Sequence, residues 1–326
     1  MKKHEIIELI QTNGTAAQKY IINRDILSID KNNPDMLDLQ EQIVNSKEVC
    51  QILKKQNDDG WFGIYLHGGA GDAMDGSVAK LRELGVEPNH VFMQKAKQAL
   101  LIDVNPTKDK RSYPPVEKFH FSRVQTLANL HIAGETADEL LVKFQNELID
   151  KYQKAINIDS LDEVSREIKT AKFNGARAWL KDKDNAFPWP SDFILLGSSL
   201  NWKTLRAADI ITAAMENVAR LAPIPNIFGY YNNHYVAPIC SYELFHYSDD
   251  CCEFLKGRGF WFRDYNYLCK ICDIEKIPYY FRQAEKLAER VLDNSLIGNL
   301  KIEELSEKID IYFKVLQILH NAKIDF

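Results

Sequence analysis

The chain has 326 residues, enough to bury a substantial core as one large domain or two smaller ones. Its 45% hydrophobic and 27% charged residues are the composition of a soluble globular protein. A formal net charge of -5 argues against a chain that tracks a phosphate backbone, which would present a basic face, so no nucleic-acid partner is expected. No run approaches the roughly 18 apolar residues of a membrane span. Acidic residues interrupt the apolar run after Lys2 and Lys3, so no signal peptide is read there and a cytoplasmic location is expected. In that setting the six cysteines are read as reduced thiols.

Helical signals dominate in chain order. Asn33-Pro34 predicts a helix entry, and Met36, Leu39, Ile43, Cys50 and Leu53 carry one apolar face to about Lys55. Gln56-Asn57-Asp58-Asp59-Gly60-Trp61-Phe62-Gly63 then reads as a helix stop, a tight glycine turn and an aromatic plug. The next helix starts at Asp75 or Ser77, turns Val78, Leu81 and Leu84 inward, and stops at Gly85. Pro88 opens a third, and residues 105–115 read as a loop. Val116 to His131 mark a fourth, closed by Gly134. Thr136-Ala137-Asp138-Glu139 and Ser160-Leu161-Asp162-Glu163 are capping-box patterns. The second is predicted to launch a helix through Ile168 and Ala171 towards Trp179.

Phe187-Pro188-Trp189-Pro190 cannot continue a helix and predicts a rigid aromatic turn. Further helices are predicted near 203–221, 241–255, 278–292 and 305–320, with an aromatic, asparagine-rich loop from Phe228 to Tyr235. Ile194-Leu195-Leu196 and Phe260-Trp261-Phe262 are apolar runs without period-two partners, so no strand is predicted. The expected fold class is all-α: repeated helical hairpins in a single domain over residues 1–326, without a fixed repeat period.

Gln56, Asp59, Gly60 and Gly63 resemble the Gln…Asp-Gly…Trp-Gly turn of the terpenoid-cyclase and protein-prenyltransferase (squalene cyclase-like) superfamily. Phe62 stands where that superfamily has its tryptophan, and Trp61 lies one residue earlier. The likeness covers residues 35–105. It implies an α/α toroid, in which the turn glutamine and an aromatic brace neighbouring hairpins around a central cavity; an open α-solenoid is the alternative. The activity it implies is binding or transforming an isoprenoid-like apolar ligand in an aromatic-lined cavity. The alternative is a non-catalytic helical-repeat protein that binds a peptide or protein partner.

The aspartate-rich motif with which such cyclases protonate an alkene is missing. Asp72 and Asp75 are the nearest acidic pair and the candidate catalytic residues. Three apart on a helix they would share a face, and one could act as an acid. The competing reading is that one of them caps the helix. Zinc is the candidate cofactor: Asp250, Cys252, Cys269 and Cys272 combine an Asp-x-Cys element with a Cys-x-x-Cys pair. Buried free thiols are the alternative.

Trp61, Trp189, Tyr230, Tyr231 and Trp261 are candidate ligand-lining aromatics, with ordinary core packing as the competing reading. His67 precedes Gly68-Gly69-Ala70-Gly71, a run that permits close backbone approach but lacks the lysine and hydroxyl of a phosphate-binding loop. His234 is a candidate polar contact, whereas His120 and His131 read as core residues. Neither a Gly-x-Ser-x-Gly elbow nor a His-Glu-x-x-His pair occurs, so serine hydrolase and zincin readings have no support.

Overall fold

The computed structural model describes residues 1–104, 120–135, 139–169, 175–180, 187–198, 207–231, 234–236, 253–256 and 259–326. Helix is the dominant element, as the periodicity predicts. The first half holds α1 (Lys3–Asn13), α2 (Ala16–Asp25), α3 (Pro34–Val44), α4 (Lys47–Leu53), β1 (Tyr65–Ala70), α5 (Met74–Glu83), α6 (Val91–Val104), α7 (His120–Ile132) and α8 (Glu139–Ala155). After these come β2 (Ser165–Glu167), β3 (Arg177–Trp179), α9 (Pro190–Ser198), α10 (Ala207–Arg220), β4 (Ile227–Tyr231) and β5 (His234–Val236). The chain closes with α11 (Glu253–Lys256), α12 (Gly259–Ile271), α13 (Pro278–Leu292), α14 (Ser295–Asn299) and α15 (Leu305–Asn321).

Capping chemistry sets several of these boundaries. Thr15 and Gln18 close a reciprocal capping box on α2, at 3.2 and 2.9 Å. Asn33 Oδ1 accepts from the Asp35 N–H at 2.9 Å, with Pro34 in the first turn, as expected. The single helix predicted to reach Lys55 is instead two. Asn45 ends α3, and the Ser46 hydroxyl caps α4 by accepting from the Val49 N–H. A new cap in mid-pattern restarts the helix while the apolar spacing runs on.

The expectation of no strands is corrected. A small mixed sheet has the order β2-β3-β4-β5. The first and last pairs are antiparallel, with Ser165 opposite Trp179 and Tyr230 opposite Tyr235. The central pair, β3 with β4, is parallel, and α9 and α10 lie in the connection between them. The helix predicted from Ser160 towards Trp179 is only a 3₁₀ turn at Leu161–Glu163, followed by β2. Arg177 explains why. Its guanidinium donates to the Ser165 hydroxyl at 2.7 Å, to the Ser165 carbonyl at 2.9 Å and to Asp162, which fastens β3 on β2. The predicted loop from Phe228 to Tyr235 is largely the β4–β5 hairpin. Ile194-Leu195-Leu196 and Phe260-Trp261-Phe262 are helical, in α9 and α12.

One hydrophobic cluster runs from Ile6 to Ala322 and draws on nearly every helix. The helix α7 is central to it: it packs on α5, α6 and α9, while α8 packs on α10 and α9 on α12. Most of the helix predicted near 241–255, and the loop at 105–115, lie outside the described residues.

Candidate active site at the glycine-rich turn

The turn singled out in the sequence is a junction of three segments. Gln56 Nε2 donates to the Gly60 carbonyl and to the Phe92 carbonyl of α6, both at 2.9 Å. The Asn57 N–H donates to the Trp61 carbonyl at 2.8 Å, and the Trp61 N–H donates to Asp59 Oδ1 at 3.0 Å. Trp61 and Phe62 are both buried in the core. The brace between turn and neighbouring helix is therefore a side-chain amide bridging two carbonyls.

This junction delivers β1 to the start of α5. The second half of β1, Gly68-Gly69-Ala70, and the turn at Gly71 double back over the first turn of α5. A side chain on Gly76 would meet the Gly68 carbonyl oxygen at 2.1 Å, so the crossing needs glycine at the helix position. Ser77, fully buried, locks the loop: its hydroxyl accepts from the Gly71 N–H at 2.8 Å and donates to the Ala73 carbonyl at 2.6 Å.

The crossing brings His67 onto Asp75. Nδ1 of His67 lies 2.5 Å from Asp75 Oδ2. Asp75 Oδ1 accepts from the Gly68 N–H at 3.0 Å and from the Gly76 N–H at 2.6 Å. The Asp75 side chain is 9% exposed and that of His67 38% exposed. A buried, doubly anchored carboxylate thus aims an imidazole that reaches the surface. Nδ1 faces the carboxylate, so Nε2, on the opposite edge of the ring, points away from the pair. Ile64 and Tyr65, just before His67, are apolar yet 66% and 63% exposed.

Asp72 and Asp75 do not form the predicted pair on one helical face. Asp72 precedes α5, is exposed, and faces Lys55 at 4.0 Å, whereas Asp75 lies in the first helical turn and is buried. His67 was singled out for its glycines and Asp75 for its charge. Their pairing, eight residues apart across a loop, has no periodic signature.

Trp189 heads α9 beside a buried ion pair. Its ring stacks on that of Trp179 at 6.2 Å. The Trp189 backbone N–H donates to Asp192 Oδ2 at 2.9 Å, and the same oxygen accepts from Lys151 Nζ at 2.5 Å. The Lys151 and Asp192 side chains are 3% and 0% exposed. The pair was missed in the sequence, although Lys151 stands one turn beyond Leu148 on the apolar side of α8, an unusual place for a lysine. Asp192 reads there as an ordinary acid in a first helical turn.

Trp261 is core, against Tyr265 at 5.1 Å. Tyr230, Tyr231 and His234 stand on the β4–β5 hairpin, with Tyr231 opposite His234. Of the candidate zinc ligands, Asp250 and Cys252 lie outside the described residues. Cys269 lies in the last turn of α12 and Cys272 just past its end, and both are buried. Among the described residues no three His, Cys, Asp or Glu side chains are placed to hold a metal ion, and no helix is long and apolar enough to cross a membrane.

No protein-family model matches the chain, and neither a curated protein nor a solved structure matches it.

Proposed function

We propose that this chain is an α/α-toroid-like protein in which His67 transfers a proton to or from an apolar ligand, with Asp75 as its orienting partner. The observation that carries the reading is the 2.5 Å contact between a partly exposed imidazole and a buried carboxylate. Anchored by two backbone N–H groups, that carboxylate cannot swing to another partner, so it holds the ring in one orientation. Imidazole is the side chain best suited to proton transfer near neutral pH. The exposed Ile64 and Tyr65 support an apolar ligand, and the Gln56 brace supports the toroid, through the superfamily resemblance of its turn.

On this reading the proton passes through the imidazole rather than between two aspartates, because Asp75 is committed to His67 and Asp72 stands apart. The test is incubation with prenyl alcohols, prenyl diphosphates and apolar esters, followed for turnover and for hydrogen exchange in D₂O. His67→Ala and Asp75→Asn are expected to lower the rate by about 10²–10⁴-fold with the fold intact. Activity surviving His67→Ala, or a ligand that binds without reacting or exchanging, would sink the proposal.

A second reading, docking of a peptide or protein partner, is favoured by the same exposed Ile64 and Tyr65. It would show as slowed amide exchange in β1 on adding the partner, without any turnover.

A further inference from the structure

Far from the His67–Asp75 pair in sequence, one face of α8 runs along a cleft of about 200 Å³. Phe144, Leu148 and Lys151 line it one turn apart in succession, and all are buried, so they form its floor. Arg123 of α7 covers the Phe144 end. Its guanidinium stands 4.2 Å from the centre of the Phe144 ring and pairs with Glu147 at 2.9 Å. Asp150 and Lys154 line the cleft further along α8, and both are exposed, so they form its rim.

The charges of the floor and of the covered end are answered. Lys151 Nζ donates at 2.5 Å to Asp192, a fully buried residue of α9 that does not itself line the cleft. Arg123 and Glu147 answer each other. The rim differs. Asp150 and Lys154 form no ion pair among the described residues, with each other or with any other group. They stand one turn apart, about 6 Å along the helix axis. The open end of the cleft therefore offers one acid and one base side by side above an apolar floor.

This lining selects a ligand chemistry. A simple anion would meet Asp150, and a simple cation would meet Lys154. A head group that carries both charges on neighbouring atoms answers the two rim residues together. Phe144 and Leu148 call for an apolar body attached to that head. The volume far exceeds the roughly 30 Å³ share of one water and falls below the roughly 300 Å³ at which drug-sized sites begin, so the ligand is a single small molecule. The lining holds three cations, Arg123, Lys151 and Lys154, against two carboxylates, Glu147 and Asp150, so the ligand's carboxylate is the more strongly held of its two charges. We propose that this cleft binds a free α-amino acid with an apolar side chain, its carboxylate on Lys154, its ammonium group on Asp150 and its side chain against Leu148 and Phe144.

The test uses the full chain and isothermal titration with L-leucine, with isocaproate, which is leucine without its amino group, and with isoamylamine, which is leucine without its carboxylate. Leucine is expected to bind with a Kd of about 1 mM or tighter. Isocaproate should bind about tenfold more weakly, and isoamylamine more weakly still. Asp150→Asn and Lys154→Met are each expected to weaken leucine about tenfold. Both positions are exposed and unpaired, so thermal unfolding of each variant should match that of the unaltered chain. Asp150→Asn should also erase the preference for leucine over isocaproate. The proposal is overturned if leucine does not bind, if isocaproate or isoamylamine binds the unaltered chain as tightly, or if either variant keeps full affinity. NMR fixes the place: bound leucine must show nuclear Overhauser contacts to the Phe144 ring and the Leu148 methyls, and contacts confined elsewhere overturn the proposal.

Discussion

Gly60 and Lys95 meet backbone to backbone: a side chain on Gly60 would stand 2.3 Å from the Lys95 carbonyl oxygen. At this contact the turn after α4 seats on α6, and Gly60 adopts it with a φ of +89°. Gln56 closes the same junction through its two bonds to the Gly60 and Phe92 carbonyls. Gln56 and Gly60 are thus the residues through which this turn touches α6.

Replacing either residue tests this junction. Gly60→Ala suffers both the left-handed φ and the clash with Lys95, and is expected to lose about 3 kcal/mol. Gln56→Ala forfeits two hydrogen bonds and is expected to lose about 1–2 kcal/mol. Urea unfolding measures both. A Gly60→Ala midpoint equal to that of the unaltered chain would contradict the contact.

Removing the carboxylate at the candidate active site has a structural consequence of its own. Asp75→Ala strips the Gly68 and Gly76 N–H groups of their acceptor and is expected to lower stability by about 1–3 kcal/mol. His67→Ala leaves both bonds in place and is expected to stay within about 1 kcal/mol of the unaltered chain. Thermal unfolding of the two variants side by side should show this asymmetry.

The Lys151–Asp192 pair should behave as a buried ion pair does. Lys151→Met removes the ammonium group from a carboxylate in the core and is expected to cost about 3–5 kcal/mol. Combining it with Asp192→Leu should recover most of that loss, since no charge is then left behind. A double variant no more stable than Lys151→Met would show that Asp192 is held by other groups.

Acid should weaken the link between α2 and the turn after α5. Glu87 accepts from Arg24 at 2.9 Å and from Arg82 at 3.2 Å. Burial alone would raise its carboxyl, but the two guanidinium groups outweigh it and hold the group below its ordinary value. A carboxyl depressed in the folded state stabilises fully above its unfolded pKa of about 4. That contribution disappears as the pH falls from there through the lower folded value. Glu87→Gln should therefore be less stable than the unaltered chain at pH 7, and the gap should narrow as the pH falls below the unfolded value of about 4. Urea midpoints across that range would measure it, and a gap that widened on acidification would reverse the sign.

Much of the helical framework is legible along the chain. Asn33-Pro34, Gly85 and Gly134 mark ends that the structure places at α3, α5 and α7, because caps and left-handed stops are local chemistry. The sheet is not legible. Strands such as Ser165–Glu167 and Arg177–Trp179 are three residues long, too short for a period of two to register. Their stability rests on Arg177 reaching back to Ser165, a contact between segments. The aromatics show the same divide: Trp61, Trp189 and Trp261 are obvious as large apolar groups, yet only packing places all three in the core.

Taken alone, the order of residues determined the class of most elements and where a tight corner had to fall, since periodicity, caps and glycines act within a few positions. Which side chains face one another was decided only in three dimensions. His67 meets Asp75 because a loop crosses a helix end, and Lys151 meets Asp192 because α8 lies against α9. A hydrogen bond forms at about 3 Å whatever the separation along the chain. No local pattern encodes that distance, and the chemistry of both centres depends on it.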